Sequence, residues 1–276
     1  MRKYAQTDST HSTTSAWPRL LRIRPHTLLL VVGVWLALAW GAFIMVDILG
    51  WIDPGLERPV WRLLFNDRPV EWTQWLILAF AITASGYLAG SLNQSEDYTG
   101  AARFFFLLSI GFSLMLIEDA GDIRHTLNSD AELVLGEELA GIRTQFFVEA
   151  PYFLALAAVP IYALVRYGRY VWHFVSVRRH LLAGFVLYGL AAGGSALSNL
   201  GHSYVVLGYL FDTFLLGGRL GVLPGRSQEF THFIFFDSAV EETVELLGLT
   251  MLAAAVLAYC DNLRRSSTHA NKGESR

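Results

Sequence analysis

The sequence predicts an all-α fold, a polytopic transmembrane bundle of about six helices, with seven as the rival count. Three observations predict it. Hydrophobic residues make up 53% of the 276-residue chain and charged ones only 16%, and the mean hydropathy is +0.39. The apolar residues also come in blocks long enough to cross a hydrocarbon core of about 30 Å, which takes roughly 20 helical residues.

Residues 1–26 are polar and Ser/Thr-rich, and they carry Arg19, Arg22 and Arg24 directly before the first apolar block. That block exceeds the roughly 7–15 residues of a signal-peptide core, so it reads as a retained helix behind a cytoplasmic tail. Crossings follow near 27–50, 72–92, 102–123, 146–166, 180–202 and 237–260, giving a bundle over 27–260 and a second cytoplasmic tail over 261–276. With the N-terminus inside, fourteen Lys and Arg fall on cytoplasmic segments and seven on outer ones. The positive-inside rule then places both termini in the cytoplasm of a cell whose membrane, the inner one in a bacterium, holds the chain. The stretch 203–217 is interrupted by Asp212 and has only a short apolar run, so it reads as re-entrant or interfacial. Gly86-x-x-x-Gly90 and Gly189-x-x-x-Gly193 offer small faces for close helix approach. Aromatic residues such as Trp51, Trp61, Trp72 and Trp75 fall at the outer interface.

Composition also excludes some functions. A net charge of −3 with basic residues in short clusters carries no nucleic-acid footprint. The lone Cys260 rules out an intrachain disulfide and a multi-thiolate metal site.

The ionisable residues inside the apolar blocks point to function, because charge in hydrocarbon costs about 2.5 kcal/mol or more per residue. In the predicted topology they gather in the outer half: Glu118, Asp119, Asp122 and His125 at the third crossing, Glu149 at the fourth, His202 at the fifth, and Asp237, Glu241, Glu242 and Glu245 at the sixth. Residues three, four and seven apart share a helix face. Glu118, Asp122 and His125 would form one stripe, Ser195, Ser198, Asn199 and His202 a second, and Ser238, Glu242 and Glu245 a third. Ser238-x-x-Glu241 also reads as a capping box, which would give Glu241 a structural role. Carboxylates and imidazoles together make an oxygen-and-nitrogen ligand set for zinc, iron or manganese. The expected ligands are Asp122, His125, Glu149, His202 and Glu245, with Glu242 or Glu118 as general base.

The acidic pair followed by a histidine (Glu118-Asp119…His125), with Glu241-Glu242-x-x-Glu245-x-x-Gly248 in the last crossing, resembles a group of uncharacterised bacterial multi-pass membrane proteins. Ser198-x-x-x-His202 with nearby acids is distantly similar to the alkaline-ceramidase-like superfamily of intramembrane zinc amide hydrolases. That superfamily's His-x-x-x-His in the final helix is replaced here by Glu242-x-x-Glu245, so its three-histidine zinc ligation does not carry over.

These residues predict a metal-dependent intramembrane hydrolase whose metal-bound water attacks a lipid or other amphiphile from the outer leaflet. Two alternatives remain at this stage. One is a proton- or cation-linked transporter, which would need a polar path through the inner half. The other is a non-enzymatic sensor or assembly protein, whose acids would pair with Arg124 or Arg143.

Overall fold

The computed structural model describes residues 19–52, 58–65, 69–139, 142–198 and 201–273, and these are almost entirely helical. Six helices are long and apolar enough to cross a membrane: Pro25–Ile48, Val60–Leu92, Glu96–Gly121, Thr144–Tyr170, Val175–Ser198 and Gln228–Ser266. Each contains most or all of one predicted apolar block. Residues 1–18, Arg68, Asn199 and Arg276 lie outside the described residues.

Helix α1 (Pro25–Phe43) begins with proline, whose missing N–H costs nothing in a first turn, and continues into a π-helical turn over Ile44–Ile48. Asp47 in that turn accepts the backbone N–H groups of Val60 (3.0 Å) and Trp61 (2.9 Å), fixing the start of the short α2 (Val60–Phe65). The chain then forms α3 (Pro69–Leu92), α4 (Thr99–Gly121) and α5 (Ile123–Leu135). A two-residue hairpin, β1 (Glu138–Leu139) with β2 (Ile142–Arg143), leads into α6 (Thr144–Tyr167). Next come α7 (Val175–Ser198), α8 (Ser203–Phe211), α9 (Gln228–Phe235) and α10 (Glu242–Gly273), with π-helical turns over Asp212–Leu216 and Phe236–Glu241.

Helix α10 is the centre of the bundle and packs on α1, α3 and α7, while α4 joins α3 to α6 and α6 closes the ring onto α7. Every residue from Leu252 to Cys260 is buried, as expected of a helix that is apolar on all sides. Helix α6 is peripheral and leaves Leu154, Ile161, Tyr162 and Val165 exposed.

The close approach of α7 and α10 depends on two glycines outside the Gly-x-x-x-Gly motifs. A Cβ on Gly184 would lie 2.6 Å from the Leu252 side chain, and one on Gly248 would lie 2.8 Å from the backbone nitrogen of Tyr188. By contrast, a Cβ on Gly90, Gly189 or Gly193 would meet nothing within 4 Å, so the second motif does not mediate helix contact within the bundle, and in the first only Gly86 faces a neighbour, Ser109 of α4 at 3.4 Å.

Helix α8 with its π turn spans about 21 Å at 1.5 Å per residue, too short to cross the membrane. It forms a hairpin with α9. Asp212 accepts the backbone N–H of Leu220 (3.0 Å) and lies 3.1 Å from His232 Nε2, folding the intervening loop back. The ring of Phe235 anchors the hairpin to the bundle, packing on Trp40, Phe43, Trp61 and Phe211. Trp61 therefore sits in the core, whereas Trp51 and Trp72 are exposed.

Two local expectations change. Ser238 does not cap the last helix: the cap is Ser227, whose hydroxyl accepts the N–H of Phe230, and Ser238 sits in the π turn that joins α9 to α10 without a break. The stripe Glu118, Asp122, His125 does not form either, because Asp122 has φ +49° and ends α4. Asp is among the few non-glycine residues that tolerate this left-handed conformation.

Candidate functional site: a carboxyl cluster around Arg124

The break at Asp122 gives the site its one arginine. With α4 ended there, α5 docks on the first turns of α6, and the Arg124 side chain lies where the end of α4 meets the start of α6. Its guanidinium lies 3.6 Å from Glu118 and 3.9 Å from Glu149, donates to Ser195 Oγ on α7 at 2.7 Å and sits 5.3 Å from the centroid of the Phe153 ring. Burial by itself would weaken its hold on its proton. The carboxylates of Glu149, Glu241, Glu118 and Glu245 outweigh that and raise its pKa, so Arg124 is a permanent cation.

The acids around it come from three crossings. Glu118 accepts the Tyr152 hydroxyl at 2.5 Å, and buried Glu149 accepts the Asn128 amide at 2.7 Å. On the other side Gln74 of α3 donates to the Glu242 side chain at 2.6 Å and to its backbone carbonyl at 3.0 Å. The Tyr204 hydroxyl of α8 donates to Glu241 at 2.5 Å; burial and the Glu241 charge both push the pKa of this phenol up, so it stays a donor. Glu245 lies at the centre, within electrostatic reach of Asp119, Arg124, Asp237 and Glu118. Glu242 feels Glu245, Asp119 and Glu241 in the same way.

Two further features set this end apart from a packed core. Glu241, Glu242 and Glu245 are only half-buried, although they belong to the central helix, which becomes solidly buried from Gly248 to Thr250 and from Leu252 to Cys260. Moreover, Gln74 Oε1 and Asn128 Oδ1 are buried without a hydrogen-bond donor, each on an amide whose nitrogen binds a glutamate. An orphan acceptor of this kind costs about 1–3 kcal/mol unless something supplies the donor.

Of the seven residues expected from the sequence, Glu118, Glu149, Glu242 and Glu245 contribute to the cluster. Asp122 and His125 sit at its rim, 3.8 Å from each other, with side chains 70% and 64% exposed. His202 is exposed in the turn before α8. Among the described residues no three His, Cys, Asp or Glu side chains are grouped so as to hold one metal ion. Ser195 binds Arg124, Ser198 donates to the Ser195 carbonyl, and Asn199 falls outside the described residues.

The stripe reading left Arg124 out, but the sensor or assembly alternative named it as a partner of the acids, and its pairing with Glu118 and Glu149 is what the structure shows; Gln74, Asn128 and the hydroxyls of Tyr152 and Tyr204 were missed. Gln74 carried a signal, being a carboxamide inside an otherwise apolar crossing. Arg124 carried one too, being an arginine five residues beyond Asp119, directly after the apolar block.

Fold and site together define a multi-pass α-helical membrane protein with a carboxyl cluster at one end of the bundle. No protein-family model matches the chain, and neither curated proteins nor solved structures show a similarity to it.

Proposed function

We propose that the chain is a membrane receptor-like protein whose outer half binds a cationic ligand reaching it from the outer side. The observation that carries this reading is the charge imbalance. Glu118, Asp119, Glu149, Asp237, Glu241 and Glu245 lie within electrostatic reach of the single guanidinium of Arg124, and Glu242 within reach of Glu245, Asp119 and Glu241. Carboxylates at this density in a partly desolvated site repel one another unless a cation or bound protons neutralise them. The placement on the outer side rests on the bias of basic residues towards the opposite ends of the helices.

The ligand donor set favours an ammonium group. The cluster offers carboxylates, tyrosine hydroxyls and two orphan amide oxygens, all of which accept N–H hydrogen bonds. A hydrolytic metal centre would need His125 and His202 to turn inward from their exposed positions. A transporter would need a polar path beyond the cluster, where α10 is packed in Ala and Leu from Leu252 to Ala258.

Thermal melts of the purified protein test the reading. Ethylammonium chloride is expected to raise the melting temperature more than equal sodium chloride does, with no response to a chelator. Stabilisation by zinc, iron or manganese that a chelator reverses, without an ethylammonium effect, would overturn it in favour of a metal centre.

A further inference from the structure

The ring of helices is not filled. Between α4, α6, α7 and α10 lies a crevice of about 230 Å³, lined by Leu108, Met115, Phe153, Pro160, Tyr188 and Leu252 among others. Its side chains carry a single polar group, the Tyr188 hydroxyl. Ile161, 53% exposed, and Gly189 form its rim, so it opens sideways between α6 and α7 onto the face that meets hydrocarbon. An apolar space of this kind does not hold water, which needs two or more polar partners.

One end of the crevice approaches the carboxyl cluster. Met115 stands three residues before Glu118, Phe153 four after Glu149 and Ala192 three before Ser195, each separation being about one helical turn of 5.4 Å. Phe153 lies directly beneath the Arg124 guanidinium, and Tyr188 is within electrostatic reach of Glu245, Asp119 and Glu118. Apolar crevice and carboxyl cluster thus stand end to end, about one helical turn apart.

We infer that the two together take an amphiphile with a protonated amine head and a single hydrocarbon chain, the ammonium among the carboxylates and the chain in the crevice. The inference rests on the cation-binding reading above and adds the chain and its lateral path between α6 and α7. Charge decides the head group. A phosphate or carboxylate head would meet the surplus carboxylates and be repelled, and a hydroxyl head would leave their charge uncompensated. An ammonium supplies both the charge and the N–H donor that Gln74 Oε1 lacks.

Melts in phosphatidylcholine nanodiscs test it with dodecylammonium, dodecanol and dodecanoate at equal mole fraction, and with ethylammonium as the chainless control. Dodecylammonium alone among the three amphiphiles is expected to raise the melting temperature, by about 5 °C, and to do so at far lower concentration than ethylammonium. Gly189→Leu, whose side chain enters open space, is expected to fold, to keep the ethylammonium response and to lose the extra effect of the chain. Equal stabilisation by all three heads would overturn the ammonium assignment. A dodecylammonium effect no larger than that of ethylammonium, or one that survives Gly189→Leu, would overturn the crevice assignment. Loss of the ethylammonium response itself would instead overturn the underlying cation-site reading.

Discussion

Arg124 joins three helices through its side chain. It reaches Glu118 on α4, Glu149 on α6 and Ser195 on α7 from a position on α5, and its side chain is only 20% exposed. Removing one partner of a buried ion pair leaves the others charged and unmatched, at a cost of about 3–5 kcal/mol. Arg124→Met is therefore expected to lower thermal stability by about 3 kcal/mol, and Arg124→Lys by less, since lysine keeps the charge and loses the fork of donors. A melting temperature unchanged in Arg124→Met would show that the guanidinium is a bystander. The half-buried acids behave differently, because each adds to a surplus of negative charge.

At the scale of the elements, the junction between α9 and α10 and the break between α4 and α5 decide where the acids point. The π turn over Phe236–Glu241 inserts one residue into a continuous helix, so Glu241 faces Tyr204 while Glu242 faces Gln74. Neither device is local enough to read from spacing. A capping box at Ser238 fits the sequence as well as a helix running through it, and only packing of α9 against the aromatic cluster at Phe235 selects the latter. Likewise, Asp122 is compatible with an unbroken helix until α5 docks on α6. The spans themselves were legible because hydrophobic length needs no tertiary context, and Glu118, Glu149, Glu242 and Glu245 were legible because charge in an apolar block demands an explanation. The two imidazoles were misplaced because their stripes assumed helices that end before reaching them. The glycines give the element-scale prediction. Gly184→Leu or Gly248→Leu drives atoms into α10 or α7 and is expected to destabilise by about 1–3 kcal/mol or more, whereas Gly90→Leu, facing open space, is expected to leave the melt unchanged. Equal effects at the three sites would contradict the α7–α10 contact.

For the whole molecule, the carboxyl cluster, the α8–α9 hairpin and the β1–β2 strand pair all gather at one end, and the buried Ala, Val and Leu side chains of α10 lie beyond them. The side of the membrane this end faces is expected to be the outer one. Single cysteines at Gly136 and Ser227, in a background where Cys260 is replaced, are therefore expected to react with an impermeant thiol reagent added to intact cells. Labelling only after the cells are opened would invert the orientation and turn the cluster towards the cytoplasm.

The central claim is that the carboxylates around Glu245 carry more negative charge than Arg124 balances and that a cation makes up the difference. Glu245→Gln keeps the shape of the side chain and removes one charge from the middle of the cluster. A melt of this variant beside the parent protein, with and without ethylammonium, is the most direct test. The account predicts that without added ligand the variant melts at or above the parent's temperature, because repulsion is relieved, and that the ethylammonium stabilisation is reduced or abolished. A variant that melts well below the parent without ligand, yet keeps the full ethylammonium response, would contradict the claim.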